Sequence, residues 1–74
     1  MAGQLIADIQ NGLARAQRAL DHFQLGLTIF QANCQRGDFE AAELERTPMI
    51  AALESYLDDF AAAQRIAEAL NRQR

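Results

Sequence analysis

Residues 6–34 read IADIQNGLARAQRALDHFQLGLTIFQANC, and this stretch decides the fold. Its apolar side chains recur at alternating spacings of three and four residues for more than four heptads, with no charged residue in the row. That period is typical of an α-helix that packs along a second helix, in a coiled coil or an antiparallel pair. The row consists of Ile6, Ile9, Leu13, Ala16, Leu20, Phe23, Leu27, Phe30 and Cys34.

Two further rows with a seven-residue repeat flank this one, the first made of glutamine and the second of small residues. A glycine inside a helix costs about 1 kcal/mol relative to alanine. Either the helix tolerates that loss, or another helix approaches closely there, and we favour close packing against an Ala-rich second helix. The glutamine row is typical of a solvated flank; alternatively its side chains form hydrogen bonds that fix helix register or hold a partner. The rows are Gln10, Gln17, Gln24 and Gln31, and Gly12, Ala19 and Gly26.

The end of this first helix is marked by a turn signal. Gly37 suits the left-handed conformation that ends many helices, and Asp38 is a good N-cap for the helix that follows. The sequence therefore predicts a helix over 3–35.

Thr47-Pro48 marks the next boundary, because proline favours the first position of a helix. We expect a short helix over 38–46 and a second long helix over 48–72, with a single kinked helix through Pro48 as the alternative. The apolar set of the last helix is broader than a two-helix seam and wide enough to contact two neighbours. It comprises Met49, Ile50, Leu53, Tyr56, Leu57, Phe60, Ala63, Ile66, Ala67 and Leu70.

Composition agrees with an all-α fold. The chain has 74 residues, of which fifteen are Ala and nine are Leu, and it has one Cys, so it is a single domain (1–74) without a disulfide framework. We predict an antiparallel hairpin of a long, a short and a long helix.

A hairpin of this size is marginal alone, and Leu25 and Ile29 add apolar surface away from the stripe. We therefore expect a homodimer that forms a four-helix bundle, a partner protein that docks a helix, or both. The predicted hairpin or dimer core is Ile6, Ile9, Leu13, Leu20, Phe23, Leu27, Phe30, Leu53, Leu57 and Phe60.

An acidic group in the last helix is a candidate contact for a partner with a basic surface. Glu54, Asp58 and Asp59 have no cation three or four residues away, and Glu54 and Asp58 repel each other at that spacing. A solvated helix face explains them equally simply. Tyr56 lies among them and could anchor a partner. The predicted partner-binding residues are Leu25, Ile29, Met49, Glu54, Tyr56, Asp58 and Asp59.

The sequence has few side chains suited to catalysis or metal binding. His22 and Cys34 are about 18 Å apart along one helix, too far for a dyad, so we predict no catalytic, metal or cofactor site. A net charge of −3 argues against a general nucleic-acid surface. No apolar run approaches the roughly 20 residues that span a membrane, and we expect a cytoplasmic protein.

Residues 34–45, CQRGDFEAAELE, resemble the first helix turn of FliT-type flagellar export chaperones. Those proteins show a helix, a Gly-acidic-aromatic-acidic turn and a second helix with apolar residues and Glu. The chain departs from them at Pro48, where the family's helix continues, and at Met49, where a basic residue is common. The resemblance implies a helical dimer or bundle that binds export substrates or a transcription regulator. The matching positions are Gly37, Asp38, Phe39, Glu40 and Leu44.

Taken together, these features predict a non-enzymatic adaptor or inhibitor that sequesters a regulator or a secretion component through a helical face. A bacteriophage-encoded inhibitor of a host protein fits the size and acidity equally well. A structural bundle whose only partner is itself is the alternative of a different class.

Overall fold

The computed structural model describes residues 2–73, which form two antiparallel helices, α1 (Ala2–Gln35) and α2 (Phe39–Arg72). The helices pack along their whole length, and no strand occurs in the described part of the chain. The predicted all-α helical hairpin is confirmed, and the first helix agrees with its predicted bounds to within a residue. The result is a rod with Cα extents of 55 × 14 × 14 Å.

The turn is built as the sequence predicts. Gly37 has φ +75°, and its N–H donates to the carbonyl oxygen of Cys34 at 3.0 Å. The N–H of Asp38 donates to the carbonyl oxygen of Asn33 at 2.9 Å, which completes a Schellman motif. The Asp38 carboxylate then accepts from the N–H of Ala41 at 3.1 Å and caps α2. The turn residues therefore satisfy backbone groups at both helix ends: Gly37 and Asp38 donate to carbonyl oxygens of α1, and the Asp38 side chain accepts from α2.

The predicted break at Thr47-Pro48 is wrong. One helix, α2, runs through this point from Phe39 to Arg72, so the separate helices expected over 38–46 and 48–72 are a single element. The alternative of one helix through the proline describes the chain correctly.

Packing explains why α2 continues through Pro48. Proline removes one backbone donor, and a helix-interior proline costs about 3 kcal/mol. Ala42 and Ala52, on either side of it, are both buried in the hairpin, so packing stabilises the helical conformation of both halves. Pro48 itself is exposed, so its ring is accommodated without a clash against α1.

Small residues form the seam between the helices. Ala16, Ala42, Ala52 and Ala63 are the buried apolar side chains of the described part, and no large side chain there is fully buried. A Cβ added to Gly12 would lie 3.4 Å from the Cβ of Ala63. The predicted close packing at the small-residue row of α1 is therefore confirmed.

The seam of α1 lies one heptad position away from the predicted stripe. The two share Ile9, Ala16, Phe23 and Phe30, but the remaining seam positions belong to the small-residue side and not to the large apolar side. A row of leucines between the helices would hold their axes apart, whereas glycine and alanine let the backbones approach. The buried or half-buried seam of α1 is Leu5, Ile9, Gly12, Ala16, Ala19, Phe23, Gly26, Phe30 and Asn33.

Only some of the ten predicted core residues are therefore shielded from solvent within the hairpin. Five of them are more than a third exposed: Ile6, Leu13, Leu27, Leu57 and Phe60. The others are half-buried: Ile9, Phe23 and Phe30 lie in the seam, and Leu20 and Leu53 lie beside it.

Candidate protein-binding surfaces

The helix register places two rows of large apolar residues on the same broad side of the rod. Gly26 of α1 lies against Met49 of α2, where a Cβ on the glycine would be 3.0 Å from the methionine Cγ. In an antiparallel pair, the residues that follow two such contact positions turn to the same side. Leu27 and Ile50 therefore lie together, and both are exposed.

The same arrangement recurs nearer the free ends of the helices, where Leu13 and Phe60 line one groove with Ile9 and Gln64. We call this side of the rod the apolar face. None of its residues is charged. It comprises Ile6, Ile9, Leu13, Leu20 and Leu27 of α1 with Ile50, Leu53, Leu57, Phe60, Gln64 and Ala67 of α2.

On α2 the apolar face is a second seam that runs beside the first. Ile50 to Ala67 follow the same alternation of three and four residues as the buried row that starts at Ala42. A helix with two such adjacent rows packs against two neighbours, as in a four-helix bundle. The hairpin fills only one of them.

The rim of the apolar face along α1 is the glutamine row. All four glutamines are exposed, and Gln17 donates from Nε2 to Asp21 Oδ1 at 2.9 Å. The face is therefore flanked on that side by neutral hydrogen-bonding side chains: Gln10, Gln17, Gln24 and Gln31.

The total exposed surface is large for the mass of the chain. The hairpin exposes 5559 Å², whereas a compact monomer of 8.2 kDa exposes about 4,500 Å². Its radius of gyration is 16.7 Å, against about 11 Å for a compact domain of 74 residues. About 1,000 Å² is thus exposed beyond what a compact fold of this size leaves in water.

A smaller groove lies on the opposite side of the rod. We call it the Leu25 groove; its apolar members include Leu25, which is 61% exposed, together with Ile29 and Met49. The structure thus brings together three of the predicted partner-binding residues. The full lining is His22, Leu25, Gly26, Ile29, Glu45, Pro48 and Met49.

Four lining residues of this groove, His22, Gly26, Glu45 and Pro48, were not among the predicted partner-binding residues, and Glu45 is the acidic one. Its side chain is half-buried, and no basic side chain among residues 2–73 lies within 4 Å of it. The neighbouring Arg46 pairs instead with Glu43, Nη1 to Oε1 at 3.2 Å. The groove therefore presents one carboxylate without a cation among apolar side chains.

The acidic group of α2 is divided by the fold. The Oδ1 of Asp59 lies 3.7 Å from the Nε of Arg15 on α1, so this carboxylate has a cation across the hairpin although none lies three or four residues away. The spacing rule considers cations on the same helix only, and Arg15 comes from the other one. Glu54 and Asp58 are exposed and form no ion pair with another described residue. None of the three lines the Leu25 groove.

Tyr56 is half-buried in the seam, and its ring centroid lies 6.1 Å from that of Phe60 at an interplanar angle of 35°. The pair links the seam to the apolar face. Tyr56 is therefore only partly exposed, and its role as an anchor for a partner stays a prediction.

The remaining reactive side chains lie apart on α1. His22 is exposed at the Leu25 groove, and Cys34 is a half-buried free thiol near the turn. Within residues 2–73, no three His, Cys, Asp or Glu side chains form a group that could hold a metal ion. Neither helix, over the part described, has the length and apolar content needed to cross a membrane.

No protein-family model, curated protein or solved structure matches this chain. The two apolar surfaces are accordingly interpreted from their own geometry.

Proposed function

We propose that this chain is a non-enzymatic protein-binding module, an adaptor or inhibitor that sequesters another protein, and that it works as a homodimeric four-helix bundle. The observation that carries the proposal is the inverted distribution of side chains. Alanine and glycine hold most of the fully buried seam positions, while ten large apolar side chains, among them Leu13, Leu57 and Phe60, are at least 36% exposed. Apolar surface left in water is unfavourable by about 25 cal/mol per Å², so a protein partner is the simplest way to cover it.

For the foreign partner, we propose the Leu25 groove as the docking surface. Its width, between two neighbouring helices, suits one amphipathic helix. Leu25, Ile29 and Met49 would contact the apolar residues of that helix, and the half-buried Glu45 would pair with an Arg or Lys on it. Glu54 and Asp58, exposed on α2, add negative charge that favours encounter with a basic protein.

The biological role that fits this action is occupation of a partner's helix-binding or basic surface. A transcription regulator and a secretion or export component are the proposed targets, the latter in line with the resemblance of residues 34–45 to FliT-type chaperones. Inhibition of a host protein by a bacteriophage-encoded chain uses the same surface and the same chemistry.

A structural module that binds only itself is the second candidate. The uncharged apolar face favours it, because a second copy could cover that face without any foreign protein.

Affinity capture followed by a binding titration separates the two candidates. The tagged chain is expected to recover a second protein from its native cell, and the purified pair should bind at least tenfold more weakly with Leu25→Asp. Leu44→Asp is the matched control, since Leu44 is 78% exposed and does not line the groove. Recovery of the chain alone, or equal weakening by both variants, would contradict the proposal.

A further inference from the structure

We infer that the apolar face is the surface through which two copies of this chain associate. The inference rests on the proposed homodimer and names its interface, which the sequence left undecided between the stripe of α1, the Leu25 surface and the second face of the last helix. The occupant of the apolar face is thus a second copy of the same chain.

The amount of surface fits one such partner. A stable interface of standard size buries about 800 Å² on each protein. The hairpin exposes 5559 Å², about 1,000 Å² more than a compact chain of its mass, so covering one face restores an ordinary exposed area. The Leu25 groove is too short to account for that excess, because it involves one segment of each helix. The apolar face runs from Ile6 to Leu27 on α1, which is about 32 Å of helix at the standard rise.

The distribution of charge fits a second copy in particular. In a two-fold symmetric interface each patch meets itself, so any net charge in the patch repels its own copy. The chain carries a net charge of −3, yet the members of the apolar face are uncharged and its rim on α1 is glutamine. Glu68 lies at the end of this side that is far from the turn, beside Ile9, Gln64 and Ala67. Two copies can therefore approach along the middle of this side without bringing like charges together. The opposite side carries the ion pair of Asp59 with Arg15 and the carboxylate of Glu45.

The position of Leu57 makes the inference testable with a single residue. Leu57 lies near the middle of α2 (Phe39–Arg72) and is 53% exposed on the apolar face. With the turns at opposite ends, the two-fold axis crosses the rod at its middle, so Leu57 lies against its own copy; with the turns at the same end, it lies against α1 of the second copy. In both arrangements the dimer interface buries two copies of any charge placed at this position.

The test compares Leu57→Glu and Leu57→Lys with the matched control Leu44→Glu on the same helix. Sedimentation velocity is run from about 1 to 100 µM, a range in which many interfaces of this size dissociate. We expect the unaltered chain and Leu44→Glu to dimerise, and each Leu57 variant alone to associate at least tenfold more weakly. An equimolar mixture of the Glu and Lys variants should recover the dimer, because the interface then buries one charge of each sign instead of two like charges.

Each remaining outcome decides a different question. If both Leu57 variants dimerise as tightly as the unaltered chain, the assignment of the apolar face is wrong, while the proposed homodimer stands. If the unaltered chain is a monomer throughout, the homodimer itself is refuted. If a Leu57 variant loses helicity by circular dichroism at 222 nm, the mixture is decisive: recovery of helicity supports the assignment, and failure to recover overturns it.

Discussion

Replacing Ala63 with leucine tests the small-residue seam most directly. Ala63 is 3% exposed, and a Cβ added to the facing Gly12 would lie 3.4 Å from its own Cβ. Carbon atoms pack optimally about 3.5–4.0 Å apart, so the gap between the helices holds at most one further carbon. Leucine adds three. No substitution on the other side can make room, because Gly12 already has no side chain.

The expected destabilisation follows from the cost of overpacking. Extra carbons in a closely packed interior cost about 1–3 kcal/mol through forced rotamers and backbone shifts. A chain of 74 residues has a total stability of about 4–11 kcal/mol, so this is a substantial share. One kcal/mol corresponds to roughly 4–8 °C in a domain of this size, and Ala63→Leu should lower Tm by about 5–20 °C.

Thermal unfolding followed by circular dichroism at 222 nm measures this change in Tm. All variants are compared at one protein concentration, because the Tm of a dimer depends on concentration. Ala69→Leu is the matched control. Ala69 is exposed on the same helix, and an exposed substitution away from special features changes stability by less than about 0.5 kcal/mol. If Ala63→Leu melts within about 2 °C of the control, the loss of stability is less than about 0.5 kcal/mol. Overpacking would cost more than that, so this result would show that the helices are not closely packed at Gly12.

Three further substitutions test the turn, the proline and the ion pair. Gly37→Ala should lower the free energy of unfolding by about 1–2 kcal/mol, because φ +75° strains an L side chain. Urea titration measures this change, with Gly3→Ala as the control, since a Cβ added to Gly3 meets nothing within 4 Å. An effect of Gly37→Ala no larger than that of the control would count against the strain. Pro48→Ala should raise the free energy of unfolding by about 1–3 kcal/mol by restoring a helix-interior donor, and a lower Tm would show that the proline ring is needed for packing. Asp59→Asn should cost less than about 1 kcal/mol, since the pair with Arg15 is partly exposed. The Asp59→Asn loss should shrink in 1 M salt, and a salt-independent loss would assign Asp59 another role.

The sequence contained enough to predict the helices and the turn. Local chemistry sets both: the apolar period of α1 fixes the helix, and Gly37 with Asp38 ends one helix and caps the next. Pro48 was misread because proline's local preference for a helix start was weighed without the packing on either side of it. Burial of Ala42 and Ala52 against α1 decides that point, and it is a tertiary effect.

The choice of seam could not be predicted in the same way. On α2 the buried row includes Glu45 and Asp59, which a search for apolar periodicity passes over. The pairing of Asp59 with Arg15 depends on the register between the helices, which neither helix encodes alone. The buried or half-buried row is Ala42, Glu45, Met49, Ala52, Tyr56, Asp59, Ala63, Ile66 and Leu70. A search for rows of small residues at the same spacing would have found its alanine members.

The separation of the two apolar surfaces has a consequence for how the proposed dimer would act. The apolar face and the Leu25 groove lie on opposite sides of the rod, so a dimer closed through the apolar face leaves two grooves open to solvent. A foreign helix can then bind each groove without opening the dimer. A protein that competed for the apolar face would instead remove the second copy, and it would have to replace the burial that the dimer provides. The proposed foreign partner would therefore gain most from the groove, where the carboxylate of Glu45 has no basic side chain of residues 2–73 within 4 Å.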